Sequence, residues 1–114
     1  MTGRATRDPA TIRQRLEQER DELLALSEAA ADERRPVALD QQSVGRLSRM
    51  DAMQVQAMAQ SVEARRRARL PLIEAALRRL DTGDYGYCTD CGETIPARRL
   101  AIDPTIARCV DCAG

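Results

Sequence analysis

The chain contains no histidine, lysine, phenylalanine or tryptophan, and its only aromatic residues are Tyr85 and Tyr87. Aromatic side chains supply much of the buried area in ordinary globular cores, so their scarcity excludes a large core. The 114 residues include 18 alanines, and 32% of the chain is charged. This composition is typical of long helices packed in pairs, because each helix buries only a narrow stripe. The sequence therefore predicts a mainly α, elongated protein.

Residues suited to catalysis are also missing. With no histidine, the chain offers no serine or cysteine nucleophile paired with a base, no glycine-rich phosphate loop and no recognisable pair of catalytic carboxylates. We therefore expect a protein that is not an enzyme. The absence of lysine leaves any phosphate contact to arginine, and the candidates are Arg65, Arg69, Arg98 and Arg99.

Long apolar runs are absent from the sequence. No segment approaches the roughly 18–20 apolar residues that a membrane-spanning helix needs, and Met1 to Ala10 has no signal-peptide core. We expect a cytoplasmic protein without a membrane segment. In that reducing compartment, cysteines are more readily metal ligands than disulfides.

Acidic and basic residues balance at 18 each, so net charge gives no reason to expect nucleic-acid binding. The charge is nevertheless distributed unevenly: residues 1–33 sum to −3, residues 34–79 to +6 and residues 80–114 to −3. The positive middle segment is either a solvated helix face or a stripe that binds a partner.

Residues 1–8 are expected to be a flexible N-terminus, and residues 9–83 to form a helical hairpin. Asp8 offers an N-cap and Pro9 a proline at the first helical position. The first helix should end at Arg34-Arg35-Pro36, because proline disfavours a helical conformation in the residue before it. Its apolar face consists of Ile12, Leu16, Leu23, Leu26 and Ala30.

The tip of the hairpin is predicted at about residues 36–51. Ser48 and Asp51 fit a capping box in which Ser48 caps the second helix and Asp51 reaches back to it. Asp40 is an alternative start for that helix. Three residues of the tip are therefore candidates for a function there: Asp51, Asp40 and Ser48.

The second helix should continue to about Leu80, with Gly83 as its C-terminal stop. Pro71 removes one backbone hydrogen bond and should kink the helix, either as a tolerated defect or as a functional bend. The two helices then close as an antiparallel coiled coil. The apolar stripe of the second helix includes Met50, Met58, Val62, Ile73, Leu77 and Leu80.

Residues 84–114 carry the most specific motif of the chain. Two C-x-x-C pairs separated by seventeen residues are a strong zinc pattern, and Gly92 permits the tight turn after the first pair. A rubredoxin-like iron site and two disulfides are the alternatives. Four protein sulfurs leave no position for water or substrate, so the pattern predicts one structural Zn²⁺ ion. The predicted ligands are Cys88, Cys91, Cys109 and Cys112.

The same segment resembles the DksA/TraR family of zinc-finger transcription factors. The resemblance is carried by a Gly-Tyr-Cys sequence that leads into the first C-x-x-C pair, or knuckle. It is also carried by Arg-Arg-Leu between the two knuckles and by an isolated proline after the Arg-Arg-Leu. A long helical hairpin precedes this finger, as in the family, so the match covers most of the chain. The residues concerned are Asp84 to Gly92, Ile95, Pro96, Arg98 to Leu100, Pro104, Cys109 and Cys112.

The resemblance implies a transcription regulator that binds bacterial RNA polymerase without recognising DNA sequence. In the family the coiled coil enters the secondary channel of the polymerase, the zinc end docks outside, and some members act with ppGpp. Many tips carry two aspartates three residues apart, and counting back from Cys88 puts the second of these at Ser48. A charged tip here would therefore depend on Asp51 or Asp40. We expect a monomer in which Arg98 and Arg99, with exposed guanidinium groups, dock on the polymerase.

Two other functions remain open on the residues. A zinc-ribbon DNA-binding protein is suggested by Arg65-Arg66-Arg67 and Arg69, although the finger segment is acidic. An adaptor whose coiled coil binds another complex is the third hypothesis. Neither the need for ppGpp, nor the target promoters, nor the direction of regulation follows from the sequence.

Overall fold

A computed structural model describes residues 8–34 and 46–113, except the side chains of residues 33 and 46–48. Helix α1 spans Pro9–Ala29, a 3₁₀ turn spans Ala31–Arg34, and helix α2 spans Arg46–Thr82. Two short helices follow, α3 at Ala97–Ile102 and α4 at Val110–Ala113. The β structure of the described part is an isolated antiparallel bridge between Tyr87 and Thr94. The predicted mainly α class is confirmed.

Helix α1 begins as its cap residues predict. The Asp8 carboxylate accepts hydrogen bonds from the Thr11 backbone N–H at 3.2 Å and the Thr11 hydroxyl at 2.7 Å. These bonds, the hydroxyl first, hold the pKa of Asp8 below its usual value. The α-helical part ends at Ala29, earlier than predicted, because the last turn tightens into the 3₁₀ conformation common at helix ends.

The start of helix α2 differs from the prediction. The helix begins at Arg46, so Ser48 is its third residue and not its N-cap. Arg46 and Leu47 are good helix formers, which favours the earlier start. Asp51 then lies in the second turn and is too far along the helix to complete a capping box. The alternative start at Asp40 lies outside the described residues.

Helix α2 ends where Gly83 predicts it. Gly83 has a positive φ of 82°, and the backbone N–H groups of Asp84 and Tyr85 both bond to the Arg79 carbonyl oxygen, at 2.9 and 3.1 Å. This arrangement satisfies a carbonyl that the helix end would otherwise leave unpaired. The predicted C-terminal stop is confirmed.

The chain divides into two compact units, and both helices contribute to each. Unit 1 falls within Met1–Asp21 and Leu70–Gly114, and unit 2 falls within Glu22–Arg69. The boundary in α2 lies beside Pro71, through which the helix continues without interruption. Whether Pro71 kinks the helix stays a prediction.

Unit 1 contains the apolar core of the described residues. Its fully buried side chains come from α1, α2 and the finger, and they include Leu16, Ile73, Ile95 and Pro104. The elements are also joined by polar contacts. Arg13 pairs with Asp81 at 2.5 Å, and the Arg15 guanidinium donates to the Ala101 carbonyl oxygen at 2.6 Å. The finger and the adjoining helical segments therefore fold as one body.

Unit 2 is held together differently. Ser27 contacts Glu63, and Arg34, further along the chain, contacts Gln56, so the two segments run antiparallel. The one buried residue of the described part of unit 2 is Glu63, which is 7% exposed. The predicted stripe residues Leu26, Met50 and Met58 are at least half exposed. Two helices alone cover only part of each other's surface, so these apolar positions remain in water.

None of the described helices combines the length and the apolar character needed to cross a membrane.

Candidate metal centre

The four cysteines of the zinc pattern come together in unit 1. Their Sγ atoms all lie within 4.8 Å of one another, and those of Cys91 and Cys109 are 3.6 Å apart. Four thiolates at about 2.3 Å from one ion would stand about 3.8 Å apart, so the cluster has the dimensions of a tetrahedral site. Cys88 is buried, Cys91 is exposed, and the other two are half-buried.

The first cysteine pair lies in a tight turn. The Gly92 N–H donates to the Cys88 carbonyl oxygen at 2.9 Å, and Gly92 has a positive φ of 80° that favours glycine. The Cys88 N–H donates to the Glu93 carbonyl oxygen at 2.8 Å. Inside the turn, the Asp90 N–H points to the Cys88 sulfur at 3.4 Å. The turn therefore aims both sulfurs of the pair in one direction.

The second pair lies at the start of helix α4, where the Ala113 N–H bonds to the Cys109 carbonyl oxygen at 2.8 Å. Two contacts join this pair to the first. The Thr89 N–H donates to the Ala107 carbonyl oxygen at 2.8 Å, and Arg108 donates to Asp90 at 2.7 Å. Arg108 also donates to the Cys112 carbonyl oxygen at 2.5 Å. These contacts hold the two knuckles in register.

The thiols differ in how easily they lose a proton. Hydrogen bonds from backbone groups, that of Cys109 first, lower the pKa of Cys88 to about 6. Contacts with the other thiols, Cys109 first, raise the pKa of Cys112. Four adjacent thiolates repel one another, so the cluster favours full deprotonation only with a cation between them.

The donor set fits zinc. Sulfur ligands in a compact, closed cluster suit Zn²⁺, which has no geometric preference from its d electrons. With all four positions supplied by the protein, such an ion has no open site for water or substrate. A bound zinc ion would therefore supply cross-linking of the finger and no chemistry of its own.

The other predicted site residues do not join this cluster. Asp51 is exposed on α2 in unit 2, the side chain of Ser48 is not described, and Asp40 lies outside the described residues. On α3, Arg98 is exposed as expected. Arg99 is not fully exposed: its side chain is partly buried, and its Nη1 atom has no hydrogen-bond partner.

Sequence reasoning missed a charged cluster around Glu63. Its Oε1 atom accepts a hydrogen bond from the Ser27 hydroxyl at 2.8 Å and lies 3.4 Å from Arg34 and from Arg66. Its Oε2 atom accepts from Arg67 at 3.0 Å. The Ser27 bond, with the arginines, holds the pKa of Glu63 below its usual value. The sequence did contain a signal for this cluster, because arginines follow the glutamate at three and four residues and so lie beside it on a helix.

Residues 83–114 match a family model described as the prokaryotic dksA/traR C4-type zinc finger. The chain is 50% identical over 56 residues to RNA polymerase-binding transcription factor DksA of Haemophilus influenzae, covering 46% of this chain and 39% of that protein. The Escherichia coli K12 protein of the same name is 41% identical over 56 residues, covering 46% and 37%. These matches span about two fifths of the relatives' length.

The similarity to a solved structure extends further along the chain. Transcription factor DksA2 from Pseudomonas aeruginosa superimposes with a TM-score of 0.73 at 28% identity. The superposition covers 92% of this chain and 79% of that one. The helices as well as the finger therefore share the fold of this neighbour.

Proposed function

We propose that the chain belongs to the DksA/TraR family of zinc-finger proteins, binds bacterial RNA polymerase and regulates transcription, because its finger matches the family model and its fold matches that of DksA2. One observation carries the proposal: a four-cysteine finger and an antiparallel helical hairpin occur in one chain, with the fold of DksA2 over 92% of its length. The curated relatives are named for binding RNA polymerase.

The zinc finger is proposed to be structural. Cys88, Cys91, Cys109 and Cys112 would hold one Zn²⁺ ion, whose role is to cross-link the two knuckles. Their sulfur-only donor set and the 4.8 Å limit on their separations support this assignment. The finger packs in the same compact unit as the ends of both helices, so the ion would also stabilise the base of the hairpin.

The hairpin is proposed to act through its tip at about residues 36–51, inside the secondary channel of the polymerase. Asp51 is the best-supported candidate for the effect, since its carboxylate is exposed on α2. Ser48 and Asp40 are the alternatives. On this mechanism the protein alters promoter complexes from within the channel and is not an enzyme.

The zinc end is proposed to dock on the outer surface of the polymerase. The exposed guanidinium of Arg98 suits an acidic surface. Arg99 has a buried Nη1 atom without a partner, which a carboxylate could satisfy if docking rearranged the side chain. We also propose a functional division into the hairpin at 9–83 and the finger at 84–114. We further propose a cytoplasmic monomer, with ppGpp as an optional co-regulator.

The DNA-binding alternative receives less support. Of the four arginines that suggested it, Arg66 and Arg67 contact Glu63, at 3.4 and 3.0 Å, so the carboxylate partly neutralises their charge. The segment 80–114 carries a charge of −3 before any metal binds. Both features lower the positive potential that DNA binding requires.

Binding to purified core RNA polymerase tests the proposal. The zinc-loaded protein should bind at micromolar concentration or tighter, and it should change the lifetime of promoter complexes in vitro. Its affinity for duplex DNA at physiological salt should remain in the nonspecific range of about 10⁻⁴ to 10⁻⁶ M or weaker. Absence of polymerase binding would reject the proposed function, and sequence-dependent nanomolar binding to DNA would replace it with the alternative.

A further inference from the structure

Helix α2 carries three exposed methionines close to its start. The chain has four methionines, and three of them, Met50, Met53 and Met58, lie on this helix within unit 2. A helix rises about 1.5 Å per residue, so the three thioethers occupy a stretch of about 12 Å. Met58 is 71% exposed, and the other two are about half exposed. Dissolved oxidants therefore have access to all three side chains.

A thioether in such a position reacts with hydroperoxides. A sulfur lone pair attacks the peroxide, the O–O bond breaks and an S–O bond forms. The sulfur loses two electrons, and hydrogen peroxide is reduced to water. Methionine sulfoxide reductases reverse the change: a dithiol is oxidised to a disulfide, and the sulfoxide oxygen leaves as water. Oxidation at these positions is therefore a reversible covalent modification.

The other sulfur atoms of the described residues are less available for this reaction. They belong to the four cysteines of the candidate metal centre, and each zinc-bound thiolate would share with the ion the electron pair that attacks a peroxide. Cys88 is also buried, and Cys109 and Cys112 are half-buried, whereas Cys91 is exposed. The methionines of α2 therefore supply the accessible sulfur that no metal holds.

Unit 2 has little apolar packing to lose. Among its described residues Glu63 is the one that is buried, and the apolar side chains are partly or fully exposed. The covered halves of Met50 and Met53 add to that limited apolar contact. A sulfoxide oxygen accepts hydrogen bonds, and covering it without a donor costs free energy. Oxidation should therefore weaken the packing of α2 in this unit.

We propose that Met50, Met53 and Met58 form a reversible oxidation site through which hydroperoxides loosen the helices of unit 2. The loosening needs no partner, and its consequence for transcription rests on the proposed function. The proposed tip at about residues 36–51 includes Met50 and adjoins the other two methionines. A loosened unit 2 would position this tip poorly, and reduction of the sulfoxides would restore it.

Hydrogen peroxide treatment of the full-length, zinc-loaded protein tests the site. Peptide mass spectrometry should find one added oxygen on each of the three methionines, with the zinc content unchanged. The helical circular dichroism signal should then melt about 4–8 °C lower, the shift expected for losing about one half-buried apolar side chain. The two methionine sulfoxide reductases, one for each sulfoxide epimer, should restore the original melting. Three sulfoxides with unchanged melting would overturn the proposal.

Leucine at the three positions is the matched control. The combined variant Met50→Leu, Met53→Leu and Met58→Leu keeps the size, apolar character and helix propensity of the side chains but has no thioether there. It retains Met1 and the four cysteines, so a response carried by those sulfurs would persist. Each protein is compared with its own untreated sample, and peroxide should shift the melting of wild type alone. Equal shifts in both proteins, or a shift that accompanies loss of zinc, would contradict the assignment to methionine.

The outcomes separate the oxidation site from the function as a whole. Oxidised protein should lose its effect on promoter-complex lifetime and regain it after reduction, whereas the leucine variant should keep its effect after peroxide. If untreated protein fails to bind polymerase, the proposed function is rejected, and the melting experiment still decides the oxidation site. If oxidised protein melts earlier but regulates polymerase as untreated protein does, the modification lacks its proposed consequence and the proposal is overturned.

Discussion

The hydroxyl of Ser27 on helix α1 donates a 2.8 Å hydrogen bond to the carboxylate of Glu63 on helix α2. Among the described residues of unit 2, Glu63 is the one that is buried, and the apolar side chains there are partly or fully exposed. The alignment of the two helices in unit 2 therefore depends on the hydrogen bond between Ser27 and Glu63. Polar contacts of this kind specify one alignment more strictly than apolar packing does.

Glu63→Gln should destabilise unit 2, because it removes the negative charge that three arginines share and leaves them to repel one another. On heating, the helices should melt at a lower temperature than in wild type, and the helical circular dichroism signal should begin to fall at a lower temperature. Glu74→Gln, at an exposed position of the same helix, is the matched control and should melt as wild type does. Identical melting of both variants would show that the cluster contributes nothing.

The stability of unit 2 should also depend on pH. The pKa of Glu63 in the folded protein is lowered from 4.5, with the Ser27 hydrogen bond as the first cause. The ionised carboxylate therefore stabilises the fold fully above its unfolded-state pKa of about 4.5, and this contribution is lost as pH falls through the folded-state value. Helix melting between about pH 3 and pH 6 should show this loss in wild type and not in Glu63→Gln.

Removal of zinc should affect more than the finger. Ile95 and Leu100 of the finger belong to the same compact unit and core as Leu16 and Ile73 of the helices. Treatment with a chelator, or Cys109→Ser, should therefore speed amide hydrogen exchange in 84–113 and also in 9–21 and 70–82. Residues 22–34 and 49–69 should keep their protection. Metal analysis showing iron, or an intact fold without metal, would contradict the zinc assignment.

Asp51→Asn should separate binding to polymerase from the effect on promoter complexes. The substitution keeps the size of an exposed side chain and removes its charge, so the variant should bind polymerase but fail to shorten or lengthen promoter-complex lifetimes. Glu74→Gln, at an exposed position of the same helix, is the control. Full activity of Asp51→Asn would remove this residue from the mechanism, and the same result for Asp40→Asn would leave a non-acidic tip. Arg98→Ala should instead weaken binding to polymerase.

Pro71→Ala should stabilise helix α2. Proline in a helix interior costs about 3 kcal/mol relative to alanine, and here it leaves the Arg67 carbonyl without its usual intrahelical donor. Chemical denaturation should show a gain of up to about 3 kcal/mol in the free energy of unfolding. Pro9→Ala, at the first position of α1, removes no hydrogen bond and should be nearly neutral. A destabilised Pro71→Ala would indicate that the native backbone requires proline.

Local chemistry explains what could be predicted from the sequence. Asp8 caps the turn that follows it, Gly83 ends a helix through its own φ, and the spacing within each C-x-x-C pair determines how its sulfurs turn. Each of these features depends on residues a few positions apart. The finger was therefore accessible residue by residue, and the family resemblance followed from it.

The remaining features depend on contacts between distant residues. Helical periodicity marked Met58 as a stripe residue, but whether a stripe is covered depends on the partner helix, and Met58 is exposed. Burial of Glu63 needs Ser27, 36 residues away, and the bond between Arg108 and Asp90 spans 18 residues. Such pairings follow only from the assembled chain.

The two tyrosines give the protein an unusual optical property. Tyr85 is fixed by a 2.7 Å hydrogen bond from its hydroxyl to the Pro104 carbonyl oxygen, and Tyr87 lies beside the first knuckle. Both belong to unit 1, and the chain has no other aromatic residue. Near-ultraviolet circular dichroism of the aromatic side chains therefore reports on the zinc end alone. Events confined to the proposed tip should leave this signal unchanged, and an introduced fluorophore would report on them.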